Sequence, residues 1–207
     1  MNAALECILL ASTLTVPVLL APADAAPVTG NTAARDIPQL PVIEVEASAG
    51  HALFTPAGTT PALGDQGVVI QVWIYDQFGF PVRNLPYQDI WLDDVGDWSV
   101  SSCQGGMTAD ANTDADGHTT ISRVIFGGGS AAIGTKVWVN AEPDDELLPV
   151  LLVSPDINGD LVVDLFDFGT FGMDFGSDAF RSDLHDDGIV DLVDFGLFGQ
   201  HFGETCP

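Results

Sequence analysis

Between Val42 and Val153 the hydrophobic positions fall in short runs, apolar or alternating, and Gly, Pro or acidic residues close nearly every run. The stretch V-V-I-Q-V-W-I-Y (68–75) puts Ile70, Val72 and Ile74 on one face and Gln71, Trp73 and Tyr75 on the other. That is the period of a half-buried strand. Lys136, Trp138 and Asn140 oppose Val137 and Val139 in the same way. The pattern predicts strands over 42–47, 51–54, 67–75, 89–92, 97–101, 118–126, 135–141 and 147–153, with no sustained helical period between them. Short strands at this spacing predict an all-β sandwich over 42–153.

After Pro155 the period changes. Residues 156–176 and 183–203 align without a gap, and 12 of 21 positions are identical. The first copy carries oxygen side chains at loop positions 1, 3, 5, 9 and 12: Asp156, Asn158, Asp160, Asp164 and Asp167. The second carries Asp183, His185, Asp187, Asp191 and Asp194 at the same places. A hard cation such as calcium takes six to eight oxygens, and the EF-hand loop supplies them at this spacing, with a backbone carbonyl at position 7, here Val162 and Ile189. Position 8 is apolar in both copies, Val163 and Val190. Behind each loop the apolar residues recur at helical spacing: Leu165, Phe168, Phe171 and Phe175, then Leu192, Phe195, Phe198 and Phe202. Each set lies on one helical face and is expected as the buried core of a small helical module, a partner-binding face being the other reading. Three glycines run beside each stripe (Gly169, Gly172, Gly176; Gly196, Gly199, Gly203). Each costs a helix roughly 1 kcal/mol relative to Ala, an expense that close helix packing and bound metal are expected to offset.

Pro155 and the β-rich residues before it leave no incoming helix for the first loop. A loop followed by one exiting helix, given twice, resembles the type I dockerin module, and the resemblance covers 154–207. It implies two bound calcium ions at the residues named above and a protein partner, cohesin-like or another extracellular protein. Three departures qualify the likeness. Leu161 holds position 6, where Gly usually makes the turn, and His185 holds position 3, where an oxygen is expected. Positions 10 and 11, often a Ser-Thr pair that contacts the cohesin, are Leu165-Phe166 and Leu192-Val193. The first loop is therefore expected to bear strain and the second to lack a ligand. The partner is expected to present an apolar surface, unless the module docks onto its own sandwich. In the preceding domain, a strand ending in D-Q-F-G-F-P-V (76–82) and the later T-D-A-D-G-H-T-T (113–120) resemble the immunoglobulin-like domains of the invasin and intimin type. Those imply a spacer or presenter. The expected fold is thus multidomain: an immunoglobulin-like sandwich followed by a small α-helical duplicated calcium-loop module.

Charge narrows the partners. Acidic residues outnumber basic ones 30 to 5, a formal net charge of −25, which opposes binding to nucleic acid or anionic membrane. The apolar run 8–20 followed by Ala-Asp-Ala-Ala (23–26) reads as a signal peptide, assigned to 1–25, although its start carries Glu6 and no Lys or Arg. Residues 26–41, rich in Pro and small residues, read as a linker. No segment reaches membrane-spanning length, so the protein is expected outside the cell or at its surface. Two cysteines remain beyond the signal, Cys103 and Cys206, which permits a disulfide; two free thiols are the other reading. Asp110, Asn112, Asp114 and Asp116 form either another calcium site or a set of turn formers. Trp73 and Trp138 form either a sugar-stacking strip or a cover over an edge. The sequence has no G-x-S-x-G, H-E-x-x-H or phosphate loop, and His51, His118 and His201 are isolated, so no enzyme is expected. Three functions follow: calcium-dependent attachment to a protein partner, polysaccharide binding through the Trp strip, or an extracellular structural role with calcium as stabiliser.

Overall fold

A computed structural model describes residues 41–95 and 99–207. The segment 1–25, all but the last residue of 26–41, and Trp98 lie outside the described residues. In chain order the strands are β1 (Val42–Ala47), β2 (Gly50–Leu53), β3 (Ile70–Tyr75), β4 (Ile90–Asp93), β5 (Val100–Ser102), β6 (His118–Ile121), β7 (Gly127–Ala131), β8 (Lys136–Val139), β9 (Glu142–Pro143) and β10 (Val150–Val153). Two helices follow, α1 (Leu165–Asp174) and α2 (Leu192–His201). The protein is thus mostly β, with two helices near its C-terminus.

Alternation sets the sheets. β3 buries Ile70, Val72 and Ile74 and pairs antiparallel with β1 on one side and β6 on the other. A second sheet runs β2-β10-β7-β5, with β10 parallel to β2. A third runs β4-β8-β9. Ile90 and Leu92 of β4 and Val137 and Val139 of β8 point into the same core as the β3 residues. That core also takes Phe54 and Leu63, both fully buried; a side chain of that kind contributes about 1.5–3 kcal/mol on burial.

The structure differs from the expected strands in two informative places. The run 135–141 ends at Val139 because Asn140 and Ala141 both take positive φ, +52° and +67°, as a tight two-residue hairpin turn requires. And β7 was not anticipated, since G-G-G-S-A has no hydrophobic pattern to read. Its glycines are imposed by close neighbours. A methyl group on Gly127 would collide with the Ser101 carbonyl, and one on Gly129 with that of Ser99. One on Gly128 would collide with the Asp156 carboxylate.

Val153 to Phe198 form a second core: Val153, Ile157, Val163, Phe171, Leu184, Val190 and Phe198, with Leu53 of the sandwich packed against it. The two cores lie within one compact unit, Pro38–Pro207. The repeats are joined to the sandwich at several points. Gly129 N–H donates to the Asp156 carbonyl at 2.6 Å. Thr59 Oγ1 donates to Glu204 Oε1 at 2.6 Å. Cys103 and Cys206 form a disulfide with Cα atoms 5.7 Å apart, which decides between the two cysteine readings. Among the described residues no helix is long and apolar enough to cross a membrane.

Candidate functional site: two acidic loops and an aromatic face

Each acidic loop is folded around its first carboxylate. Asp156 accepts the N–H groups of Asp160 and Leu161, at 3.2 and 2.8 Å; Asp183 accepts those of Asp187 and Gly188 at the same distances. Asp160 and Asp187 each accept the N–H two residues on, from Val162 and Ile189. Asn158 Oδ1 accepts from Asp160 N–H. At position 6 the chain is left-handed in both loops, φ +71° at Leu161 and +87° at Gly188. For Leu that conformation costs roughly 1–2 kcal/mol.

Positions 9 and 12 have a second task that the ligand pattern did not disclose. Asp164 and Asp191 are the N-caps of α1 and α2, and Asp167 and Asp194 complete capping boxes by accepting the cap residues' own N–H groups. The other oxygens of Asp167 and Asp194 accept from Asn158 N–H and His185 N–H, tying each helix start back to its loop. The signal was present as D-x-x-D opening each apolar stripe. Each loop then pairs with the segment that follows the other repeat's helix. Val163 N–H donates to the Glu204 carbonyl and Gly203 N–H to that of Val163; Val190 and the Gly176–Ser177 pair repeat the arrangement. Position 8, Val163 and Val190, is fully buried in both copies.

The electrostatics suit a cation. Asp156 is pushed up to about 6, first by burial and then by the Asp167 and Asp160 carboxylates facing it. Burial likewise raises Asp167, helped by Asp160 and Asp164. Buried carboxylates held next to one another lack a countercharge, and the donors at these positions are the hard oxygens that calcium prefers. In the conformation seen, these oxygens are occupied by loop N–H groups. Among the described residues no three His, Cys, Asp or Glu side chains converge closely enough to hold a metal. The donor types at these positions are those a hard divalent ion takes, although the side chains do not converge in the conformation seen. His185 Nδ1 lies 3.4 Å from Asp187 Oδ2 and is exposed. Asp186 reaches His51 Nδ1 of the sandwich at 3.8 Å.

The helix stripes correct the expectation of a buried module core. Only Phe171 and Phe198 are buried; Leu165 and Leu192 are 73% and 74% exposed, and Phe168, Phe175, Phe195 and Phe202 are about half exposed. The core is filled instead by loop residues such as Ile157, Val163, Leu184 and Val190. Close helix packing does not explain the glycines either, since a methyl group on Gly169, Gly172, Gly196 or Gly199 would meet nothing within 4 Å. What the stripes build is an aromatic face with two shallow grooves of about 360 Å3 each. One is lined by Leu165, Phe168, Phe195, Phe198, Gly199 and Phe202. Exchanging each of these for its counterpart in the other repeat yields the lining of the second: Leu192, Phe195, Phe168, Phe171, Gly172 and Phe175. Phe168 and Phe195, 6.2 Å apart, divide them.

The remaining candidates resolve more plainly. Asp110 accepts from Thr120, Ser122 and Arg123 and Asn112 from Tyr87, long-range contacts within the sandwich, whereas Asp114 accepts from Asp116 and His118 and shapes a turn. Trp73 and Trp138 lie in different sheets; Trp73 packs on His118 with ring centroids 4.9 Å apart. His201 and Glu204 share Thr59, but both the hydroxyl and the carboxylate meet the same ring nitrogen, Nδ1. A nucleophile–base–acid relay needs both ring nitrogens. Comparison with family models, curated proteins and solved structures found no match for this chain.

Proposed function

We propose that the chain is an exported, non-catalytic protein that attaches to a protein partner through its dockerin-like helix pair, with the immunoglobulin-like sandwich as spacer or presenter. The observation that carries this reading is the exposed aromatic face of α1 and α2. Soluble proteins seldom leave a contiguous apolar face of this kind to water unless something docks there. Leu165 and Leu192 stand on that face, and together with the exposed Phe166 and Val193 they hold the positions that contact the partner in the family it resembles. In each repeat the loop caps the helix directly, so the loop's order sets the helix's position.

Calcium would be held by Asp156, Asn158, Asp160, Asp164 and Asp167 with the Val162 carbonyl, and by Asp183, Asp187, Asp191 and Asp194 with the Ile189 carbonyl and His185 beside them. Bound, it supplies the countercharge that the buried carboxylates lack. The expected partner is a cohesin-like or other extracellular domain with an apolar surface and a neutral or basic rim, because acids flank the face on a chain of net charge −25.

The test is retention of purified cohesin-like domains and cell-surface proteins on the immobilised full chain. The Leu165→Asp/Leu192→Asp double variant serves as control; both side chains lie outside the core, so calcium binding by calorimetry should persist. A protein held in calcium, released by chelator and ignored by the variant supports the reading. Equal retention by the variant refutes it, and retention of nothing leaves the structural role with calcium as stabiliser.

A further inference from the structure

The outward face of the third sheet carries a feature that partner docking does not use. Trp91 of β4 and Trp138 of β8 are directly opposed across the strand pair. Their rings are nearly parallel, 11° between planes and 6.2 Å between centroids. Their strand neighbours Ile90, Leu92, Val137 and Val139 are fully buried in the sandwich core. Alternation therefore fixes the two indoles on the opposite face, where both are half-buried. They form part of the wall of a cleft of about 360 Å3 that also includes Asp93, Ser102 and Ala141, a size typical of small-ligand sites.

The polar groups in and beside the cleft are sparse and particular. Asp93 is half-buried, with Oδ1 accepting the Asp94 N–H at 2.9 Å. Burial raises its carboxyl, against hydrogen bonds from that N–H and from the Trp91 side chain. Trp138 Nε1 is buried and has no hydrogen-bond partner among the described residues, which is costly for an indole N–H. Asp94 also borders the cleft but is committed to the fold through the Val100 N–H at 3.0 Å.

We propose that this cleft is a saccharide subsite, with Trp91 and Trp138 as its stacking platform and Asp93 and Ser102 as its hydroxyl partners. A pyranose ring has an apolar C–H face and a hydroxylated rim. The face covers indole surface that is otherwise in water, and the rim supplies donors to a carboxylate. Competing ligand classes fit less well. Phosphates and other anions meet Asp93 on a chain of net charge −25, and a wholly apolar ligand would take water from that carboxylate and return no hydrogen bond to it. The site lies on the sandwich and uses no residue of the acidic loops or the helix face, so it is independent of the proposed docking.

The experiment is affinity electrophoresis of the full chain through native gels containing soluble xylan, a β-1,3-glucan or hydroxyethyl cellulose. At least one polysaccharide should retard the wild type. Trp91→Ala and Trp138→Ala should each weaken that retardation at least tenfold, Asp93→Asn severalfold, and Trp73→Ala and Leu165→Asp/Leu192→Asp not at all. Circular dichroism checks folding; if an alanine variant fails it, Trp138→Phe and Asp93→Asn carry the test. No retardation by any of the three polymers overturns the proposal. So does full retardation in the folded Trp91 and Trp138 variants, or in Trp138→Phe and Asp93→Asn together.

Discussion

Cutting the Cys103–Cys206 disulfide should remove several kcal/mol of stability, about 3–5. The cross-link joins residues 103 apart in sequence. In the chain-entropy description, a closed loop of about 100 residues restricts the unfolded ensemble by about 4.7 kcal/mol at 25 °C. The native state adds to this. Val163 N–H reaches the Glu204 carbonyl, Gly203 N–H reaches that of Val163, and Val162 bridges Thr205. The disulfide thus pins the segment that closes the first loop from behind. Cys206→Ala leaves the other thiol buried beside the Pro56 carbonyl, 3.3 Å from it, so that variant isolates the cross-link with little disturbance of packing. The expected loss is about 3–5 kcal/mol, or roughly 6–20 °C in Tm for a domain of this size, measured by urea and thermal unfolding in saturating calcium. A loss below about 1 kcal/mol would show that the unfolded chain is already restrained there, and the entropy argument would fail. Two separated transitions in the variant would show that the disulfide is what makes the two cores melt together.

Two further outcomes follow from the loops. In chelator, Asp156 and Asp167 hold protons more tightly folded than unfolded, so the native state binds the excess protons and stability falls as pH rises between the ordinary 3.8 and about 6. Tm in EDTA should therefore be higher at pH 5 than at pH 7, and calcium should abolish or reverse that order; a chelated protein that gains stability from pH 5 to 7 would contradict it. His51, held low by burial, works in the opposite sense within this window, so the comparison is made in a His51→Gln background; Asp174, held low by Arg181, does so only at lower pH. Gly128→Ala should destabilise by about 1–3 kcal/mol through overpacking and, because the new methyl strikes the Asp156 carboxylate, weaken calcium at the first loop while sparing the second. Calorimetry on the variant checks both halves, and equal weakening of both loops would sink the mechanism.

Where burial is decided along a single strand, the sequence was legible. Ile70, Val72 and Ile74 alternate in the chain and alternate in the sheet. The ligand spacing of the repeats likewise anticipated two loops each followed by a helix. Three features escaped because their causes lie elsewhere in the chain. The glycines of β7 read as a loop, yet Ser99, Ser101 and Asp156 crowd that backbone until only glycine fits. The 3-3-4 stripes showed a face but not whether anything covered it; loop residues took the core positions that the stripes were expected to fill. The pairing of Trp91 with Trp138 depends on cross-strand register, which neither strand carries alone.

Register and docking together make the two repeats unequal in a way that their ligand lists do not express. Comparing Leu161 with His185 sets a strained turn against a missing oxygen. The structure adds a larger asymmetry. The first loop is seated on the sandwich by the Gly129 N–H to Asp156 carbonyl bond, with Gly128 against the Asp156 side chain and Gly159 beside Gly129. The second touches the sandwich through His51, which reaches Asp186 at 3.8 Å and packs edge-on against Phe180 at 5.6 Å. The first carboxylate is thus fixed through its own backbone, whereas the second loop is held through residues outside the ligand positions. Pre-organising a ligand lowers the ordering that binding must impose, so the seated loop has the advantage despite the left-handed leucine. The same seating explains why the repeats present their helices outward: the sandwich takes the loop side, and the aromatic side is left exposed.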